Sequence, residues 1–580
     1  MSVSFARRCA FLGFALLLPV CVVYGSQAAT PPKSGYAQVV SAILDDFYRR
    51  NPTQATDLGL HQYDGQLEDY GRVAVDDEVA ALERQRRELA ALDPARLALD
   101  ERLDREMLLG WLEGRRLYLT DVKTWERDPD LYSAGISNSA FSLIKRDYAP
   151  AEERMRRLIE RERAMPAVLA AARRNLVNPP RVYVEIAIEQ LDGERELFRT
   201  AVVEAFADVK DARLQAELKA ANDAVIAALG DYKHWLEKGL LPRANGQFAW
   251  GADVYARMLR STEMIDTPLP RLLEVAEQDL KRNQAAFVET ARRIDPTKTP
   301  MQVLAEVQRD HPAADRLLST TQDSLDALGR FMTERRIVTI PAGSPPAQVR
   351  ETPPFMRATT TASMDTPGPF EQKKMRGFYN MTPPDPKWSA AETEEFMTVW
   401  YYAAISNTSV HEVWPGHYLQ FLYSPEYPTT PRKVVYSNTN VEGWAHYCEQ
   451  MVIDEGWHAD DPRYRLAQLQ DALLRDARFV AGIRMHTQGM TIAEAEDFFE
   501  HEGYQPRPVA ELETKRGTSD ALYGYYTMGK LAILKLRDDY RRKQGDAYRL
   551  QEFHDRFMAV GPLPLPLVRE AMLGERGSLF

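Results

Sequence analysis

The residues best equipped for chemistry in this chain stand in two short runs. The first is His411-Glu412-Val413-Trp414-Pro415-Gly416-His417, in which two imidazoles flank a carboxylate. Neutral imidazole nitrogens are ligands for a divalent ion such as Zn2+, and a carboxylate between them can take a proton from water that such an ion acidifies. The two histidines are six positions apart. At about 100° per residue, six steps leave the rings roughly 120° apart on a straight helix. Both reach one ion only if the helix breaks between them. Pro415 supplies the break, because its ring clashes with the His411 carbonyl and it has no N–H to donate. Gly416 supplies freedom to turn sharply. The plain alternative is a helix end with two separately satisfied histidines.

The second run begins 25 residues after His417, as Glu442-Gly443-Trp444-Ala445-His446-Tyr447-Cys448-Glu449. Glu442, His446 and Glu449 lie at i, i+4 and i+7, so one helical face carries three potential ligands or groups that support them. Cys448 on the same helix reads as a packed small hydrophobe and not as a nucleophile.

The elements that must position these runs are mostly helices. From Ala37 to about Arg336 apolar residues recur at helical spacing, as in Leu103-Met107-Leu108-Trp111, with Pro179-Pro180 and Asp295-Pro296 as punctuation. Composition shifts between Arg336 and Lys387. Ile337-Val338-Thr339-Ile340 reads as a strand and Arg376-Gly377-Phe378-Tyr379-Asn380 as a second, among several prolines. The segment keeps Phe355, Met356, Phe370 and Phe378, so it reads as a small β or irregular insert. Helix returns at Ser389, an N-cap with Glu392 three residues on, and positions 466, 469, 473, 477 and 480 form one buried stripe. The expected fold is mainly α, divided as 1–28 leader, 29–336 helical region, 337–388 insert and 389–580 helical region with the chemical runs.

These motifs resemble a bacterial family catalogued as domain of unknown function 885. Its members carry H-E-x-x-P-G-H-x-L-Q and E-G-W-A-x-Y-x-E, which stand here as His411 to Gln420 and Glu442 to Glu449. Asn51-Pro52-Thr53-Gln54-Ala55-Thr56-Asp57-Leu58-Gly59 and Tyr525-Tyr526-Thr527-Met528-Gly529-Lys530 are similar to the family's opening and closing segments. The resemblance implies a helical architecture like that of the glutamate-type zinc peptidases, in which a Glu on the helix after the His pair completes the ligands. That role falls on Glu442, with Glu449 behind the ligands and His446 either beside it or as an added ligand. Two departures stand out. Many members have a second His where this chain has Tyr418, and an apolar residue where it has His446.

The expected chemistry is peptide hydrolysis with one Zn2+ on His411, His417 and Glu442, and with Glu412 as general base that then protonates the leaving amine. An oxyanion donor is expected among His486, Tyr523, Tyr525 and Tyr526. Arg475 and His486 fall within about 20° on one helix wheel, where the arginine could grip a substrate carboxylate. The strand at Phe378-Tyr379-Asn380 could align a peptide by edge pairing, with Tyr379 against the substrate. The competing classes are another metal-dependent amide or ester hydrolase and a non-catalytic binding protein on the same scaffold.

Composition bounds the partners. The 580 residues are 44% apolar and 27% charged, with net charge −11, which is ordinary globular usage. Arg7-Arg8, an apolar stretch from Cys9 to Tyr24 and Ser26-Gln27-Ala28 read as a cleaved export leader. Val20 before Cys21 is not the small residue that lipid attachment requires. Loss of the leader removes two arginines and no acid, taking −11 to −13. Such an acidic chain excludes nucleic acid and anionic membranes as natural partners. Only Cys448 remains, so no disulfide forms within the mature chain. The expected protein is periplasmic or secreted, without stable membrane insertion, and acts on a peptide or small amide.

Overall fold

A computed structural model describes residues 35–353, 356–357 and 360–580. The leader at 1–28 and Phe355 lie outside these residues. The first helix, Gly35–Arg50, buries Tyr36, Val40, Ile43, Leu44 and Phe47, a stripe at three- and four-residue steps, and ends on Arg49 and Arg50, where cations complement the carbonyl end. Helices Asp130–Ile144, Ala151–Asn175, Arg181–Arg199 and Ala212–Trp235 form a lobe around Tyr132, Leu158, Val184, Leu191 and Leu229. Helix Leu269–Ile294 lies along the long helix Pro462–Thr487, in a core that also takes in Tyr401, Phe479 and Tyr523. A third core joins the first helix to the small sheet and the helices bearing both chemical runs, through Val40, Leu108, Tyr379, Val410, Trp444 and Ile533. Two of the three cores therefore run across position 336.

Among the described residues the fold is mainly helical with one three-stranded sheet. Strand β1 (Gln348–Glu351) pairs parallel with β3 (Phe378–Met381), and β2 (Ala362–Asp365) pairs antiparallel with β3, so that Val349 and Met364 flank Tyr379. Two expectations change here. Ile337–Ile340 is not a strand, because side chains take its backbone groups. His554 Nδ1 bonds the Ile337 carbonyl (2.7 Å), Asp555 accepts from Thr339 N (2.7 Å) and the Tyr423 hydroxyl donates to the Thr339 carbonyl (2.6 Å). The strand at 378–381 is the central one, with both edges paired, so it offers no edge to a peptide. The expected capping box at Ser389 and Glu392 is present, although the backbone leaves helix at Tyr401 and the His411 helix starts afresh at Tyr402. The 466–480 stripe is buried along the unbroken helix Pro462–Thr487.

His61 ties the segment after the sheet's second strand to the N-terminal region. Its ring stacks on Tyr148 (3.7 Å), Nδ1 meets Asp64 Oδ2 (3.2 Å) and Nε2 meets Glu371 Oε2 (3.2 Å). Burial lowers its pKa, but the two carboxylates outweigh it and raise the group from 6.5 to about 9. The protonated form is thus favoured by folding, and its stabilisation is complete below pH 6.5 and lost as pH rises through about 9. Thermal melting across that window should show a decline that His61→Gln flattens; equal slopes in both proteins would remove this assignment.

Candidate metal centre

The two histidines converge because the helix between them breaks. Helix Tyr402–Glu412 ends at Val413 (φ −123°, ψ −73°), and after Trp414 and Pro415 the chain restarts as helix His417–Leu422 from Gly416 (φ −70°, ψ −133°). The Gly416 N–H turns back to the Val410 carbonyl (3.0 Å). A Cβ on Gly416 would stand 1.8 Å from the His411 carbonyl oxygen. Glycine is needed here for close approach, since its φ is open to any residue. Trp444 Nε1 donates to the Pro415 carbonyl (2.8 Å) and holds the turn against the next helix. The imidazole centroids end 4.8 Å apart with planes at 88°.

Glu442 comes from helix Asn438–Asp454. Gly443 and Gly529 let this helix meet helix Tyr525–Gln544 backbone to backbone; a Cβ on Gly443 would lie 2.4 Å from the Gly529 Cα. Its first turn is capped from afar by Glu263, whose Oε2 accepts from the N–H (2.9 Å) and hydroxyl (2.8 Å) of Thr439 and whose Oε1 accepts from Asn438 N (3.2 Å). A carboxylate suits the positive end of a helix. Glu263 had no signal in the sequence, because the pairing spans 176 positions to Thr439.

Glu442 Oε2 lies 3.4 Å from His411 Nε2 and 3.3 Å from His417 Nε2. Neither contact has hydrogen-bond geometry, and Glu442 Oε2 and His417 Nδ1 are buried without a hydrogen-bond partner among the described residues. One ligand atom from each of His411, His417 and Glu442 falls within 4.8 Å of the others, a cluster among the described residues that could hold a metal ion. Burial would raise the Glu442 pKa, but His417 and His411 hold it well below the usual carboxylate range. Behind His411 stands Glu449, wholly buried, with Oε1 2.7 Å from His411 Nδ1 and Oε2 3.1 Å from His446 Nδ1. An imidazole whose Nδ1–H points to a carboxylate presents its Nε2 lone pair to the centre. His446 therefore faces Glu449 and does not join the three ligand atoms.

The model of a bacterial protein family of unknown function, DUF885, matches residues 52–572 of this chain. The chain belongs to the DUF885 family. Its fold is shared with a candidate lipoprotein of unknown function from Shewanella oneidensis, at 25% identity and TM-score 0.77, over 93% of this chain and all of that one. A candidate lipoprotein from Colwellia psychrerythraea, at 18% identity, superposes with TM-score 0.79 over 93% and 98% of the two chains. No curated protein matches. Among the described residues no helix is long and apolar enough to cross a membrane.

The DUF885 motif residues around the centre sort clearly. Glu412 is half-buried, and its side chain has no hydrogen-bond or ion-pair partner among the described residues, although its charge acts on the Tyr379 phenol. Tyr418 is turned away, donating to the Pro345 carbonyl (2.6 Å). Cys448 is buried, and burial pushes its thiol well up. Tyr526 lies against the centre, its ring 6.2 Å from that of His411, and Arg516 Nη2 donates to its oxygen (3.2 Å). Burial, then Glu442, raise its phenol pKa.

Five accessory assignments need correction. His486 is not an oxyanion donor: Nδ1 accepts from Trp250 N (3.4 Å) and Nε2 donates to the Gly517 carbonyl (2.8 Å), which uses both nitrogens of a neutral ring. Burial lowers its pKa to about 4. Arg475, its side chain 12% exposed, pairs with Glu449 (3.2 Å) and donates to the Asp471 carbonyl (3.1 Å), so it is turned to the carboxylate behind His411 and not presented to a substrate. Tyr379 is wholly buried on the central strand, its phenol pKa driven up by burial and then by Glu412; it backs the Glu412 region from the core. Tyr523 is wholly buried against Gly482 and Gly517, while the Tyr525 hydroxyl is taken by Asp520 (2.9 Å).

Proposed function

We propose that this chain is an exported, periplasmic or secreted, zinc-dependent peptidase, with one Zn2+ held by His411, His417 and Glu442. The observation that carries the reading is the placement of Glu442 Oε2 against both imidazoles. Nitrogen and oxygen ligands about 2.05 Å from a tetrahedral ion lie about 3.3 Å from one another, and the two Nε2···Oε2 separations are 3.4 and 3.3 Å. Two imidazoles and a carboxylate suit zinc chemically, and the orphaned Glu442 oxygen is a buried acceptor in want of a cation. Bound there, the ion supplies Lewis-acid polarisation of the scissile carbonyl and acidifies water.

The protein groups divide the remaining work. Glu412 accepts the proton of the attacking water and passes it to the leaving amine. Tyr526 stands as hydrogen-bond donor to the developing oxyanion: Arg516 supplies the bond its oxygen accepts, leaving its own O–H proton free. Glu449, braced by Arg475, fixes the His411 ring. The experiment is a digest of a peptide mixture set beside ester and acyl-amino-acid substrates, with and without chelator. The reading expects peptide cleavage that chelation stops and Zn2+ restores. Hydrolysis of esters alone, or turnover indifferent to chelator, would overturn it.

A further inference from the structure

Three guanidinium groups surround the Tyr526 ring, with Cζ atoms 5.6 Å (Arg475), 5.1 Å (Arg478) and 5.9 Å (Arg516) from its centroid. Two are largely buried against acidic partners. Arg475, 12% exposed, faces Glu449, and Arg478, 8% exposed, forms a two-pronged pair with Glu513 at 2.6 and 2.7 Å. Arg516 differs. Its side chain is 39% exposed, and a single nitrogen, Nη2, makes both of its bonds, to Asp520 Oδ2 and the Tyr526 oxygen, each at 3.2 Å. Its Nε and Nη1 make no hydrogen bond among the described residues, which leaves two donors open to solvent one tyrosine away from the ligand histidines.

Tyr118 and Tyr436 are 37% and 52% exposed, yet surrounding protein raises the phenol pKa of both. Tyr118 stands edge-on to Trp250 (5.9 Å, 90°) and feels Asp520, the Arg516 partner, while Tyr436 feels Glu442. Tyr526 links the two ends: Glu442 acts on its phenol, and Arg516, with its open edge, donates to its oxygen. Arginine matches a carboxylate with two parallel N–H···O bonds.

We propose that Arg516 binds the free C-terminal carboxylate of a short peptide, making this a carboxyl-terminal exopeptidase or dipeptidase site. The proposal rests on the peptidase reading for its substrate class, but its test does not need turnover. Full-length Glu412→Gln protein loaded with Zn2+ is titrated calorimetrically with short peptides free of acidic side chains, each as the free acid and as the C-terminal amide. The free acid is expected to bind at least about ten-fold tighter, the scale of a charge-assisted pair. Arg516→Gln in the same background is expected to bring the two within about two-fold. Equal affinity for acid and amide in the Arg516 protein, or no binding of either, overturns the proposal without any appeal to the variant's folding. Acid preference in a protein whose Glu412 form hydrolyses nothing would retain the carboxylate site and discard the peptidase.

Discussion

Alanine at position 416 is expected to abolish stoichiometric zinc binding. The added methyl would lie 1.8 Å from the His411 carbonyl oxygen and 2.5 Å from that of Val410, both backbone atoms with no rotamer to relax into. The turn must open, and opening it carries His417 away from His411, since the two rings meet only because the chain doubles back within four residues of the first helix's end. Overpacking of this kind costs about 1–3 kcal/mol in stability, and the loss of one of three ligands should weaken zinc binding by about 100-fold or more. Calorimetric zinc titration and thermal melting of Gly416→Ala test both effects. Gly35→Ala is the control, because a methyl there meets nothing within 4 Å among the described residues. Unchanged zinc affinity in Gly416→Ala would mean that the turn does not hold the centre together.

Glu412→Gln is expected to lower kcat by about 10²–10⁴-fold, the usual range for loss of a general acid–base group, while leaving zinc content intact. The two outcomes separate because Glu412 is not one of the three convergent ligand residues. Its carboxylate has no hydrogen-bond or ion-pair partner among the described residues, and the neighbouring Tyr379 is wholly buried. Turnover of a cleaved peptide and zinc per chain, measured on the same preparation, decide the point. Undiminished turnover would remove Glu412 from the role.

What was legible in the sequence was local. The break between His411 and His417 followed from Pro415 and Gly416, because their backbone limits act within one turn. The Glu442, His446 and Glu449 face followed from helical periodicity, and the Ser389 cap and the 466–480 stripe are likewise matters of spacing. What was hidden depends on distant partners. Ile337–Ile340 has strand-like residues, yet His554, Asp555 and Tyr423 occupy its backbone. Strands β1 and β2 carry charged or small residues and exist through pairing with β3. Glu263 and Arg516 lie far along the chain from Glu442, and neither sits in a patterned motif. Arg475 and His486 share a helix face as the wheel requires, but their partners, Glu449 and Gly517, decide what each does.

The central claim is that His411, His417 and Glu442 hold a single divalent ion. Elemental analysis of the purified full-length mature chain, beside its His417→Ala variant, addresses it most directly. The account expects one zinc per chain, lost in the variant. A chain that binds no divalent ion even when titrated with Zn2+, or a variant that retains the same metal content, would contradict it.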